Sequence, residues 1–361
     1  MIKSEVTLLL TIYNRRTFTL RWIQFIKDFN CPFNIYICDG GNDKLIERKL
    51  KNLAKNNSKI KYKKFTFYKN YQKFHEKFYL ATKDIKTKYT YLCEDDDFVI
   101  FENIKKSEYF LNKNNDYTCS GGQSFNVEIL QNNLFFARTE HKKNISYKDN
   151  SKYKRILKVL NNMQSNYNCL HRTLDLNKVF KMIHKIDFKN IYETELLFVM
   201  ASLYFGKVNR FNHIEYVKID NTEFSSSSNF SPQYKYLDIV ISPNYSLENY
   251  AFVHFFKKKF SNSQMNTIKK NINNFLININ KDRFDEIYLS NKQRFINIIR
   301  KIIKNSLLSL HLFSSVKKFY IRLFFIKTKN IDLYNKSRFV NSLSEKQIIF
   351  FTNLLKFLSK S

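Results

Sequence analysis

Tyr89-Thr90-Tyr91-Leu92-Cys93-Glu94-Asp95-Asp96-Asp97-Phe98-Val99-Ile100 is the stretch whose reading decides the fold. An apolar run rich in strand formers (Tyr89, Tyr91, Leu92) stops at four consecutive acids, and the apolar sequence resumes at once with Phe98, Val99 and Ile100. Adjacent carboxylates repel one another, and a bound cation relieves that repulsion. The flanking residues are apolar rather than basic, so no local lysine supplies the charge. The expectation is a divalent-metal site at the carboxyl end of a central strand. In an extended segment alternate side chains point to one side, so Glu94 with Asp96 and Asp95 with Asp97 are both pairs that could grip one ion. The plainer alternative is a solvated acidic turn, which the apolar flanks disfavour.

Working outward toward the amino terminus, Val6 to Tyr13 is an apolar run of the kind found in buried parallel strands. Thr17 to Phe29 carries Phe18, Trp22, Phe25, Ile26 and Phe29 at helical spacing. Asn34 to Asp39 is a second strand running into Gly40-Gly41, Asp43 to Lys55 a helix with a basic solvated face, and Lys59 to Tyr68 an alternating strand. Tyr71 to Lys86 is helical and leads into the strand Tyr89 to Cys93. This β-α-β-α-β-α-β order predicts an α/β fold with a mostly parallel central sheet. Ligands of such sheets gather at the carboxyl ends of the strands, where Asn14, Asp39 and the acidic run all fall. Asp39 followed by two glycines also fits a helix N-cap or a turn.

Toward the carboxyl terminus the pattern predicts a helix over Glu102 to Asn112, strand and loop over Tyr117 to Leu130 with Gly121-Gly122, and a basic helix over Lys152 to Met163. A short strand Tyr167 to Arg172, a helix Leu176 to Ile186, a nearly apolar helix Ile191 to Phe205 and a strand Lys207 to Ile219 follow. Ser225 to Asn229 is a polar break. Beyond about Asn249 the chain becomes rich in Lys and Asn with apolar residues at helical spacing, among them Phe252, Phe255, Phe256 and the run Phe295 to Ile303. Two regions result: 1–248, and a basic helical region 249–361 that either packs on the first or lies on an anionic membrane surface.

Composition limits the function classes. With 62 Lys+Arg against 31 Asp+Glu, the net charge of +31 favours an anionic partner. Five scattered cysteines without CxxC spacing point to a reducing compartment and away from a zinc site. No stretch is apolar enough to span a bilayer, and the expected place is the cytoplasm, peripheral at most on the inner face of the membrane. A basic nucleic-acid-binding protein is the competing class, yet neither an aromatic RNA-binding signature nor a helix-turn-helix pattern is present. Nucleic acid is therefore not the expected partner. A phosphoryl or nucleotidyl transferase using the same acids is a further alternative.

The order of these features resembles the family 2 glycosyltransferases with the GT-A (Rossmann-like) fold, over roughly residues 5 to 220. In that family the first strand ends in a Thr-Tyr-Asn-Arg-like run, matched here by Thr11, Tyr13, Asn14 and Arg15. The second ends in Asp-Asp-Gly-Ser, matched by Cys38-Asp39-Gly40-Gly41 with Cys in place of the first acid. The fourth ends in a DxD-type metal motif, matched by the acidic run with one extra carboxylate. The segment Ile191 to Val208 resembles the family's late Glu-Asp helix, with Thr194 in place of the residue before the acid.

The resemblance implies a nucleotide-sugar donor, a UDP-sugar in first place, and a cell-surface glycan or lipid-linked acceptor. It implies a metal-dependent, inverting transfer with Mn2+ or Mg2+ as cofactor. Thr11, Tyr13, Asn14, Arg15, Asp39 and Asp95 would line the donor pocket, with Arg172 holding the diphosphate. The family's ending favours Asp96 and Asp97 for the metal, with Asp95 beside them and Glu94 ranked lower. Counting back from Gly206 places Glu195 at the family's catalytic carboxylate, with Glu193 as the alternate. Direct displacement at the anomeric carbon needs such a base to take the acceptor hydroxyl's proton. A glutamate in a helix's first turn also serves the helix dipole alone.

Overall fold

The computed structural model describes residues 4–66, 71–130, 134–139, 144–186, 191–220, 256, 259–279 and 345–358. The chain divides into two compact units, Met1–Phe275 with Ser361, and Leu276–Lys360. Ser225 to Asn229, Phe252, Phe255 and the run Phe295 to Ile303 lie outside the described residues.

The amino-terminal half alternates as its periodicity predicts. Strand β1 (Val6–Ile12) is buried along nearly its whole length, and its Leu8, Leu9 and Leu10 reach no solvent on either face of the sheet. Helix α1 (Arg16–Asp28) buries one stripe, Thr19, Trp22, Ile23, Phe25 and Ile26. Strand β2 (Asn34–Asp39) precedes α2 (Lys44–Lys55), whose N-cap Asp43 accepts from the amides of Leu45 and Ile46. Arg16 grips the same carboxylate at 2.7 and 2.9 Å, and together these partners hold the Asp43 pKa down at about 2. β3 (Ile60–Lys64), α3 (Tyr71–Asp84) and β4 (Tyr89–Glu94) complete a parallel group in the order β3-β2-β1-β4.

Beyond β4 the sheet mixes directions. After β5 (Phe98–Val99) and α4 (Phe101–Lys113), β6 (Tyr117–Leu130) carries an antiparallel partner, β7 (Leu134–Thr139). Helix α5 (Lys152–Asn161), β8 (Leu170–Arg172), α6 (Thr173–Ile183), α7 (Ile191–Phe205) and β9 (Lys207–Asp220) follow. The full order is β3-β2-β1-β4-β8-β6-β9-β5, with β7 on β6. β8 runs antiparallel to both β4 and β6, while β6 and β9 are parallel to each other. The stack of Phe78 on Phe180 at 4.7 Å and the tilted contact of Phe180 with Phe198 at 5.5 Å mark the helical layer of α3, α6 and α7.

This order forces a curl. Glu94 and Phe98 are consecutive strand ends, so about 14 Å of extended chain at most can separate them. In a flat sheet the four steps from β4 to β5 would need about 19 Å. The sheet closes that gap by bending, and the irregular register of β6 on β9 near Gly121 and Gln123 supplies the bend. Gly122 allows it, because a Cβ there would stand 2.4 Å from the His213 carbonyl oxygen.

Two further helices are described, α8 (Asn262–Ile279) and α9 (Glu345–Leu358). Among the described residues no helix is long and apolar enough to cross a membrane.

Candidate active site

Register places the site before any side chain is considered. Thr11 stands opposite Cys38 on β2 and Glu94 on β4, and Ile12 stands opposite Asp39. The ends of β1, β2 and β4 are therefore abreast, and Asn14, Asp39 and the acidic turn share one edge of the parallel group. That edge is where such sheets bind ligands.

The four acids have different surroundings. Asp95 takes Arg15 Nη1 at 2.9 Å on Oδ1 and Thr19 Oγ1 at 3.1 Å on Oδ2. Asp96 takes Arg15 Nη2 at 2.7 Å on Oδ2. Asp97 accepts the Tyr216 hydroxyl at 2.5 Å and the Ile219 amide at 2.9 Å, both from the far half of β9. One carboxylate oxygen from each of Glu94, Asp96 and Asp97 lies within 4.8 Å of the others. Asp95 is turned away to Arg15 and Thr19, so the trio contains Glu94 where the sequence had ranked it last.

Electrostatics sharpens the picture. Asp95, Asp96 and Asp97 are each under 5 % exposed. Burial, and then the neighbouring Asp96 charge, push the Glu94 pKa up to about 7. Burial pushes Asp95 to about 7 against the pull of Arg15. Burial, Asp96 and Glu94 together raise Asp97. Three oxygen donors this close, with Glu94 and Asp97 disfavoured as free anions, are the hard ligand set that a divalent cation satisfies. The residues present thus fit Mn2+ or Mg2+.

Beside the acids at this edge stands Asp39, which is 1 % exposed. Its Oδ1 accepts the Gly41 amide at 2.8 Å, and its Oδ2 accepts the Tyr62 hydroxyl at 2.7 Å and the Lys64 ammonium at 2.8 Å. The loop after β1 is locked onto the loop after β2. Asn14 adopts a left-handed backbone with φ 55°, and its side-chain oxygen accepts the Asn42 amide at 2.7 Å. A Cβ at position 41 would stand 2.4 Å from that oxygen, so only glycine permits the approach. Tyr13 and Thr11 are partly buried beside it.

Glu195 lies near enough for its charge to be among the causes that raise the Glu94 pKa, after burial and Asp96. It is partly exposed near the start of α7, one turn before Phe198, whose ring packs on Tyr167 at 5.1 Å and His171 at 5.6 Å. Glu193 lies in the same helix, and its side chain is outside the described set. Arg172 is not brought to the acids. It stands opposite Tyr89, at the amino end of β4. Its guanidinium is engaged by three carbonyls, Tyr117 at 2.7 Å, Leu111 at 2.6 Å and Asn114 at 2.9 Å.

Two groups escape the sequence reading, Lys77 and Tyr216, and a third, Glu94, is ranked last in it. Glu94 had the i, i+2 spacing to Asp96 in its favour. Lys77 sits on the apolar stripe of α3 with Phe74 and Phe78 and is 2 % exposed. Burial lowers its pKa to about 8, with Cys38, Asp39 and Asp95 drawing it back up. A lysine on an apolar stripe was the available signal. Tyr216 gave none, because an apolar tyrosine in a strand reads as core.

No family model and no curated protein matches the chain. Solved structures do. TarS 1–349 of S. aureus in complex with UDP-GlcNAc superposes with a TM-score of 0.52 at 11 % identity, covering 91 % of this chain and 95 % of that one. A second crystal structure of S. aureus TarS 1–349 gives a TM-score of 0.49 at the same 11 % identity and the same coverage. At this identity the likeness concerns the fold alone, and the first of the two carries it.

Proposed function

We propose that the chain is a metal-dependent glycosyltransferase that moves a sugar from a uridine diphosphate donor onto a cell-surface glycan or lipid-linked acceptor. The observation that carries the proposal is the Glu94–Asp96–Asp97 trio, with Asp96 and Asp97 buried and Glu94 half-buried, at the carboxyl edge of β4 and abreast of Asp39 at the end of β2. The trio and Asp39 offer a cation site and a polar anchor side by side, the two things a nucleotide diphosphate needs. The shared fold with TarS, crystallised with UDP-GlcNAc, supports a UDP-sugar as donor.

Glu94, Asp96 and Asp97 would hold Mn2+ or Mg2+, and the bound cation would neutralise charge on the departing nucleotide diphosphate. Asp39 would accept a hydrogen bond from the base, with Tyr13 and Thr11 against it and Lys77 nearby. Arg15 has the fork that recognises phosphate. Glu195, or Glu193 one helical face away, would take the proton of the acceptor hydroxyl as it attacks. A single base and direct attack invert the anomeric configuration. The Lys-rich region 249–361 would suit an anionic membrane carrying a lipid-linked acceptor.

The test is a thermal-shift and turnover pair. UDP with Mn2+ should raise the melting temperature more than CDP, ADP or GDP with Mn2+, and UDP should be released from a panel of UDP-sugars only while the cation is present. Full turnover in EDTA would end the metal assignment, and no response to any nucleotide would end the donor assignment.

A further inference from the structure

Arg15 stands inside the acidic turn as its resident counter-cation. It occupies the position just before α1, and its side chain is 10 % exposed. One arm of the guanidinium holds Asp95 at 2.9 Å and the other holds Asp96 at 2.7 Å, with the Phe18 ring covering the plane at 4.3 Å. Asp96 is therefore claimed twice. It belongs to the trio that converges within 4.8 Å, and it is already half of an arginine clamp. Arg21 is close enough to feel the same acids, but its Nε and Nη2 find no hydrogen-bond partner among the described residues. Arg15 makes a direct ion pair with both Asp95 and Asp96.

We propose that Arg15 and a divalent cation compete for Asp96, and that the diphosphate of the incoming nucleotide decides the competition by drawing the guanidinium off the acids. This inference rests on the metal and nucleotide reading above. A guanidinium fork matches carboxylate and phosphate with the same geometry. A diphosphate arriving at the trio thus offers Arg15 a replacement partner at the moment Asp96 is needed elsewhere. Metal alone meets an Asp96 whose Oδ2 is already held in a buried ion pair, and binds weakly. Metal and diphosphate together find the acids vacated and the arginine re-paired. Linkage makes the effect reciprocal: each ligand strengthens the other by the same factor.

The diagnostic quantity is the affinity for Mn2+ in the absence of nucleotide, read from the free-ion electron paramagnetic resonance signal. Arg15→Gln should bind Mn2+ alone about tenfold more tightly than the unaltered protein, and UDP should then tighten Mn2+ binding by a smaller factor than it does in the unaltered protein. Arg15→Lys keeps the charge without the fork and should fall between the two, which preserves the test if the glutamine variant folds poorly. Arg16→Gln, which removes the same charge one residue away from an exposed pair with Asp43, should change Mn2+ affinity less than twofold, within the range of a screened surface charge. Unchanged or weakened Mn2+ binding in both Arg15 variants overturns the competition. If the unaltered protein binds UDP equally well with and without Mn2+, the metal reading itself fails, and that result is recognisable before any variant is made.

Discussion

The Tyr216 hydroxyl donates to Asp97 Oδ2 over 2.5 Å, joining two residues 119 apart in sequence and closing the curled sheet over the acidic turn. The adjacent amide of Ile219 completes the hold on the other oxygen. Tyr216→Phe removes the hydroxyl and leaves a buried carboxylate short of a donor. The expected cost is about 1–3 kcal/mol of unfolding free energy, measured by urea denaturation. Stability equal to the parent protein would show that the hydroxyl does not anchor the turn.

Glu94 and Asp95 are neighbours with the same charge and different partners. Glu94→Gln should weaken Mn2+-dependent UDP binding at least about tenfold, near 1.4 kcal/mol. Asp95→Asn should lower it less, because Asp95 faces Arg15 and Thr19 rather than the trio. Calorimetric titration of both variants decides the matter, and the opposite ranking would return Asp95 to the cation and remove Glu94.

Glu195→Gln should lower turnover by about 10²–10⁴-fold, the usual contribution of a positioned base, with UDP affinity close to that of the parent. Steady-state transfer and equilibrium UDP binding, measured on the same preparation, separate the two effects. If Glu193→Gln produces this pattern instead, the base is Glu193 and the helix register was misjudged by two positions.

Lys77 gives a pH signature. Its folded pKa of about 8 lies below the ordinary lysine value, which is about 10.4. Between those two values the unfolded chain carries a proton that the folded chain has lost, so this group makes stability rise with pH across that window, by up to about 3 kcal/mol. Below the folded pKa both states are protonated and the slope vanishes. Lys77→Met should erase the difference. Urea denaturation of both proteins at pH 7 and near pH 10 reads it, and parallel pH profiles would mean that Lys77 keeps an ordinary pKa in the folded protein.

Much of this was legible in the sequence for identifiable reasons. β1, β2 and β4 are uninterrupted apolar runs, and two-sided burial leaves few alternatives for such segments. The acidic turn stood out because four adjacent carboxylates between apolar runs repel one another and are costly to bury. Arg172 shows the limit. The three-residue strand β8 carries no mark of direction, and running antiparallel to β4 takes Arg172 to the opposite end from the acids. β7 was missed because Leu134 to Thr139 is short and follows a polar connection. β6 was read as strand plus loop because its glycines look like a turn, whereas they mark the bend of a continuous strand. The division of labour among the four acids was unreadable because their partners come from far away in the chain, Arg15 about 80 residues before and Tyr216 119 after.

The curl has a temporal consequence. A ribosome releases the acids long before it releases β9, the strand that seats Asp97. A chain ending before Lys207 would own Arg15, Asp39 and all four carboxylates, yet lack the lid of the acidic turn. Long-range pairing of this kind is the slow part of assembly. The acidic edge would thus be among the last features to mature, and a truncated or nascent chain would leave Asp97 unseated however well its first strands had folded.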